Sequence, residues 1–344
     1  MRGLDSRTRH GREASSGGDP GAFPAFLRET AETMWNRRSL DAGLRRACHP
    51  QLIHRQALAM GYGPEALRGE ALELMAALPD LAARTEDVIW AGAERVGMLG
   101  SQRLLLQGQH EGIGLFGTPG GTPLRFRMLS DIYAKDTRIC EIWSVRDTGA
   151  ILSQLGIRVS DWARAQLGTR APDGGPFHPG LDQPGPYTGQ GNGNQWGMAF
   201  AGLLERIMSA GFSEIAAQYD PAARMAYPGG RIAEGPDGAE RFWFGLRAAF
   251  PDAVFTIHHQ VGLEEQLMPP RAALRWSLSG RHSGWGAFGR PSGAEVHVMG
   301  ISHAEFGPEG VRREWTLYDE AAIWVQILSE AGRATPGRRA VAAE

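Results

Sequence analysis

His110-Glu111-Gly112-Ile113-Gly114-Leu115-Phe116-Gly117 returns 172 positions later (110 to 282) as His282-Ser283-Gly284-Trp285-Gly286-Ala287-Phe288-Gly289. The same offset, without a gap, joins Pro79 to Pro251, Arg103 to Arg275, Gly108 to Gly280, Trp143 to Trp315, Asp147 to Asp319 and Gln154 to Gln326. A repeat running from Leu78 to Gln154 far exceeds the roughly 20 to 50 residues of stacked solenoid units. The chain therefore encodes one domain twice, and two similar folds are expected to face one another.

Composition fits two ordinary lobes. At 344 residues with 42% hydrophobic content, each half can bury a core without disulfides or metal. A formal charge of −2 and the absence of any basic run give no field for a polyanion, so nucleic acid is excluded as a partner. Cys48 and Cys140, the only cysteines, have no metal-ligand spacing and leave the second half without any, which suits a reducing compartment. Residues 1–21 are charged and Gly/Ser-rich with no apolar segment, so a disordered tail is expected rather than a signal peptide. No stretch reaches the roughly 18 apolar residues of a membrane span, and a cytoplasmic location is expected.

The pattern along the chain predicts lobes at 22–158 and 198–331, a linker at 159–197 and a second disordered tail at 332–344. Thr169 to Gly197 is too rich in glycine and proline for a helix or a ladder. Phe177, Tyr187 and Trp196 could pin it to a lobe, with free solvation as the alternative. Each lobe opens on helical text, with Phe26, Leu27, Ala31, Met34 and Trp35 in the first and Phe200, Leu203, Leu204, Ile207 and Met208 in the second. A second helix follows in both, over Glu65 to Leu78 and Asp237 to Phe250, each stopped by a proline. Strands come next: Val88 to Trp90, Arg95 to Gln109, Leu124 to Tyr133 and Ile139 to Val145, then their counterparts between Phe255 and Tyr318. Helices first and an antiparallel meander afterwards describe an α+β lobe.

A short strand carrying His54, a helix closing on Leu78-Pro79-Asp80, the Gly108-Gln-His-Glu-Gly112 segment, a Pro-Gly-Gly turn and Ile139-Cys-Glu-Ile-Trp143 followed by Asp147 resemble the SnoaL-like polyketide cyclases. The resemblance covers both halves and implies the nuclear transport factor two-like fold, a curved sheet wrapped around helices as a cone with a ligand cavity. It also implies that a histidine and an aspartate act as acid and base, and His110 with Asp131 match that pair best. The second lobe has His303 where the first has Asp131, which puts its activity in doubt. Fold does not fix chemistry, since this architecture hosts cyclases, isomerases, lyases, epoxide hydrolases and binding modules.

Alternation along Leu104, Leu106, Gly108 and His110, and along Trp276, Leu278, Gly280 and His282, turns both histidines inward. An imidazole titrating near neutrality can abstract a proton or activate water, whereas the bland reading is a satisfied core histidine. Beside apolar walls Asp131 would have a raised pKa. Yet it shares its strand face with Arg125, Arg127 and Tyr133, while Phe126, Met128 and Ile132 form the greasier face, and only the resemblance turns that polar face toward the cavity. Arg127, four residues before Asp131, allows an Asp–Arg pair that positions water, with a structural ion pair as the plainer account. His54, Tyr133, His282 and His303 are expected as pocket residues. Trp143 and Trp315 are expected as cavity wall or core, with Asp147 and Asp319 capping the helices after them.

Gly117-Thr-Pro-Gly-Gly121 is no phosphate loop, because no Lys-Ser/Thr follows and a strand comes next. Adjacent His258 and His259 would project to opposite faces of a strand, so neither metal nor other cofactor is implied. Two hypotheses follow. The first is a cofactor-free acid–base cyclase or isomerase acting on a small, largely apolar carbonyl or ester compound in the first lobe, with epoxide-type water addition as a variant. The second is a binding module or scaffold without turnover. In either, the duplication forms an internal pseudo-dimer, with further homo-oligomers open.

Overall fold

The computed structural model describes residues 21–93, 95–167 and 175–333; of the tails expected at 1–21 and 332–344, residues 1–20 and 334–344 lie outside the described residues. In the first half, α1 (Ala22–Ala31) runs into a π-helical turn (Glu32–Asn36), then α2 (Ala42–Ala47), β1 (Cys48–Gln56), β2 (Ala59–Tyr62) and α3 (Gly63–Ala77). Four strands follow, β3 (Ala82–Ala93), β4 (Gly97–His110), β5 (Thr122–Lys135) and β6 (Arg138–Arg146), then α4 (Thr148–Gln154) and α5 (Val159–Leu167). The second half repeats the succession as α6 (Gln195–Met208), α7 (Ser213–Gln218), β7 (Tyr219–Tyr227), β8 (Arg231–Glu234), α8 (Gly235–Ala249), β9 (Val254–Leu263), β10 (Arg271–Arg281), β11 (Glu295–Gly307), β12 (Gly310–Tyr318) and α9 (Glu320–Arg333). No described helix is long and apolar enough to cross a membrane.

Local chemistry sets these boundaries. Gly63, at φ 70°, turns the chain out of β2, and Pro64 follows in the first turn of α3, where its missing N–H costs nothing. Leu67, Ala71 and Leu74 then bury one stripe against the sheet. Two expectations change. The helix α5 falls inside the stretch assigned to linker, and α9 continues two residues into the stretch assigned to the C-terminal tail.

Each sheet has six strands, in the orders β2-β1-β6-β5-β4-β3 and β8-β7-β12-β11-β10-β9. The meander β3 to β6 is antiparallel as expected, but the sheets are mixed, because β1 runs parallel to β6 and β7 parallel to β12. That pairing brings the strand before α3 back beside the last strand, and the sheet curves around α1 and α3 into a cone. A second departure sits at one matched place. Glu86 in β3 and His258 in β9 are extra residues in otherwise regular ladders, so each sheet carries a bulge at the same repeat position. A bulge breaks strict alternation. His258 bonds Ser277 while its neighbour His259 faces Asp131, so the two histidines share one sheet face rather than opposite ones.

The concave faces of the sheets hold the lobe cores, and the convex faces pack against each other. Ile89 of β3 meets Val261 and Ala273 of the other sheet. The first-lobe core runs on into Ile301, Leu317 and Val325 of the second. Helix ends tie the pair further: Thr148 donates to Asp319 at 2.8 Å, and Asp147 accepts from Gly229 and Gly230 N–H at 2.7 and 3.1 Å. Asp147 also accepts from Ala150 N–H at 2.9 Å, the capping bond expected of it. The described part of the linker after residue 174 is not free. Phe177 is buried, and Tyr187 lies against Tyr133, Trp143 and His259 with ring centroids 5.0, 6.0 and 5.6 Å apart.

Candidate functional site

The concave face of the first sheet encloses a cavity with about 50 Å³ of free room between α1, α3 and strands β1, β4, β5 and β6. That volume would take roughly three to five waters. Leu27, Trp35, Leu67, Leu104, Met128 and Ile142 make its wall apolar, and His54, Glu70, Gln102, Ser130 and Ser144 place polar atoms in it. Strand alternation delivers Gln102, Ser130 and Ser144 to the same face as Leu104, Met128 and Ile142. Glu70 arrives from the buried stripe of α3, one turn from Leu67 and one from Leu74.

The polar groups form a chain. Gln56 Nε2 stands 3.2 Å from His54 Nδ1; an amide N–H can only donate, so Nδ1 accepts and the ring proton lies on Nε2. That proton is donated to Ser144 Oγ at 2.9 Å. Glu70 Oε2 lies 3.6 Å from the same nitrogen, and Glu70 Oε1 lies 3.8 Å from Arg146 NH1. Burial pushes the His54 imidazole down to about 3, so it is neutral near pH 7. Burial also pushes the Glu70 carboxyl up to about 7, with Arg146 opposing and Glu73 assisting. A carboxyl that exchanges its proton near neutrality and a neutral N–H donor therefore face one apolar space.

Of the candidate catalytic and binding residues named from the sequence, only His54 lines this cavity. His110 does turn inward, but it lies at the far end of β4, its ring edge-on to Phe116 at 6.4 Å and neither nitrogen hydrogen-bonded. Its carbonyl accepts from Gly120 and Gly121 N–H at 3.2 and 2.9 Å, as His282 accepts from Ser292 and Gly293 at 3.1 and 2.9 Å. His282, bonded to Ser292 at 3.0 Å and tilted against Phe250 with ring centroids 5.5 Å apart, is the same core device. Both histidines clasp the following turn.

Asp131 is fully buried on the convex face, opposite Ser101 in the ladder, so it and His110 stand on opposite faces of the sheet. The expected acid–base pair is not formed. The greasier face of β5 looks into the cone, and the polar face looks at the other lobe. Arg275 of the second lobe reaches Asp131 at 3.3 Å, with His259 at 3.4 Å. Burial alone would raise this carboxyl, yet His259, Arg275 and Ser101 together hold it below the usual range, opposite to the expected shift. The Arg127–Asp131 pair is also absent: Arg127 grips Glu86 at 2.7 and 3.1 Å.

The remaining residues share that convex face. Trp143 is sandwiched between Arg55 and Arg275, whose guanidinium carbons lie 4.6 and 3.9 Å from its ring. Trp315 carries Arg103 at 3.6 Å. His303 accepts from Arg103 at Nδ1 (3.2 Å) and donates from Nε2 to Ser101 (2.7 Å), and burial followed by Arg103 keeps it neutral. Tyr133 donates to the Val96 carbonyl at 3.1 Å. These groups obey the repeat: Arg103 on His303 and Arg275 on Asp131 are one cross-lobe contact made twice. They lie at or beside the contact between the lobes rather than in the first-lobe cavity. Among the described residues no group of three His, Cys, Asp or Glu side chains could hold a metal ion.

Comparison with known proteins agrees with the tandem cones. The sequence profile described as SnoaL-like polyketide cyclase matches residues 25–155 and 206–327. No curated relative matches the chain. Similar solved structures include TsrD from Streptomyces laurentii, 18% identical with TM-score 0.35 over 41% of this chain and 100% of that one. Another is a SnoaL-like polyketide cyclase from Agrobacterium tumefaciens, 19% identical with TM-score 0.29 over 36% of this chain and 91% of that one.

Proposed function

The chain belongs to the SnoaL-like polyketide cyclase family, in two tandem copies, and from that premise we propose that its first lobe is a cofactor-independent acid–base enzyme of cyclase or isomerase type. The substrate is a small, largely apolar carbonyl or ester compound held in the first-lobe cavity. The observation that carries this reading is Glu70, a carboxyl raised to about 7 in a cavity walled largely by apolar side chains, beside an imidazole that is neutral and donates. Glu70 in its ionised form takes the proton alpha to the carbonyl, and in its acid form returns it at another carbon or oxygen. The Ser144 hydroxyl, which accepts from His54 Nε2–H at 2.9 Å, donates its own proton to the oxygen that gains charge as the enolate forms, in a space where little water competes. Gln56 fixes the tautomer that makes this donation available. The proton lost from carbon resides on Glu70, so no electron acceptor is required.

Deuterium uptake from heavy water at the alpha carbon, followed by NMR across small β-keto esters and thioesters, reads proton abstraction whatever the later fate of the enolate. Glu70→Gln should slow uptake by at least about 100-fold, a typical scale for general acid–base catalysis, while His110→Ala leaves the rate per folded molecule unchanged. Wild-type uptake surviving in Glu70→Gln removes this mechanism. Compounds that bind the cavity without exchange in any variant make the lobe a receptacle instead.

A further inference from the structure

The pseudo-two-fold creates two grooves between the lobes, and among the described residues the chain fills one of them. In the filled groove the linker packs Phe177 beside Ala57, Met299 and Asp319, donates the Phe177 N–H to the Ala57 carbonyl at 3.1 Å and sets its ring 5.7 Å from His297. Farther on, Asp182 places a carboxylate 2.6 Å from Arg55, and Tyr187 N–H is donated to Glu141 at 2.5 Å. An aromatic side chain and a carboxylate thus cover that edge.

The other groove has about 530 Å³ of free room. By the repeat offset, Arg125 stands where His297 stands, Arg127 where Met299 stands and Arg313 where Glu141 stands. Arg224 pairs with Arg313 in the ladder as Ile53 pairs with Glu141. Four guanidinium groups line the open groove, whereas Arg55 is the cation that the linker meets in the filled one. Arg127 is held by Glu86, and Arg313 lies 3.6 Å from Glu305. Arg125 and Arg224 are exposed, with no ion pair among the described residues. Trp315 and Leu317 give the groove an apolar floor.

We propose that this open interlobe groove binds an amphipathic organic anion. Its carboxylate or phosphate meets Arg125 and Arg224 as Asp182 meets Arg55, and its aromatic or apolar body lies over Trp315 and Leu317 as Phe177 lies in the mate groove. Guanidinium groups favour both headgroups through paired N–H donors, and neither unpaired arginine has to give up a protein carboxylate first. The site is separate from the first-lobe cavity and does not depend on any catalytic reading of it.

Isothermal titration of the full chain with 2-naphthyl phosphate, 2-naphthoate and neutral 2-naphthamide tests this. At least one anion should bind one per chain and at least tenfold tighter than the amide, and which of the two does so names the headgroup. Arg125→Glu/Arg224→Glu should weaken that anion by at least tenfold with an unchanged near-ultraviolet dichroism spectrum, as should Arg125→Ala/Arg224→Ala to a lesser degree. Glu70→Gln should leave it unchanged. Binding by neither anion, equal binding of the amide, indifference to both double variants, or loss in Glu70→Gln each overturns the proposal. So does anion binding that emerges only when residues 334–344 are removed, which would give the groove to a segment of the chain itself.

Discussion

The two lobes share a backbone plan but differ in what fills the cone. Where the first has Leu104, Ala71 and Glu70, the second has Trp276, Trp243 and Phe242 at the same repeat positions. Trp243 and Trp276 lie 6.0 Å apart and Phe242 stacks on Tyr227 at 3.6 Å, so aromatic rings occupy the space that is cavity in the first lobe. The acidic group has moved too. Glu314 takes the place of Ile142, and Tyr219, Tyr227 and Thr316 donate to it at 2.6, 3.0 and 2.5 Å. Those hydroxyls saturate the carboxylate, whereas Glu70 faces open space. One cone holds an internal cavity, and its twin is packed with aromatic rings.

The largest effect expected from this contrast is on stability. Trp243→Ala should empty a core site of the second lobe and cost about 4 kcal/mol, within the usual range for losing a buried aromatic, read as a shift in urea midpoint. Deuterium exchange per folded molecule should not change. If this variant alters catalysis in the first lobe while staying folded, the second is more than a support.

The next test concerns the seam. Asp131→Asn leaves Arg275, which is largely buried, without its anion, and breaking such a pair costs on the order of 3 kcal/mol. At the pseudo-symmetric place a neutral His303 already meets Arg103, which also reaches Glu86 at 3.2 Å, so His303→Asn should cost much less. Equal losses from the two substitutions, measured by denaturant titration, would contradict the ionic asymmetry of the seam.

Much of the architecture is legible in the sequence because the repeat offset is unbroken and the apolar alternation is strong. The parallel pairing of β1 with β6 is not, since a short strand separated from its partner by some 80 residues leaves no local signature of direction. Asp131 is misplaced by sequence reasoning for a physical reason. Its polar face reads as a pocket or as surface when a lobe is considered alone, but a partner sheet bearing Arg271, Arg275 and His259 makes it an interface. The same fact explains why Trp143, Tyr133, His303 and Trp315 are drawn toward the cavity when only the sequence is read. Glu70 carries a usable signal: a carboxylate between Leu67 and Leu74 on the apolar stripe of α3 has no solvent to face. Ser144 and Arg146 carry none, because serine and arginine are common at the end of any strand.

The smallest effect, and the one that addresses Glu70 most directly, is the pH dependence of stability. Its carboxyl titrates near 7 in the fold against 4.5 unfolded, so the folded state holds a proton that the unfolded chain releases. The contribution is fully present below about pH 4.5 and is lost as pH rises through 7. It amounts to at most about 3.5 kcal/mol, since each tenfold change in proton affinity is worth about 1.4 kcal/mol. His54 works in the opposite sense, since its depressed value near 3 makes stability fall as pH drops below 6.5. Asp147, also raised to about 7 by burial, changes in the same window as Glu70. Comparing wild type with Glu70→Gln cancels both of those groups. The stability difference, wild type minus variant, should therefore fall steadily between pH 4.5 and 8 in thermal or urea titrations. A difference that stays flat across that range would mean Glu70 keeps an ordinary carboxylate in the cone, and the first lobe would lose the property that sets it apart from the second.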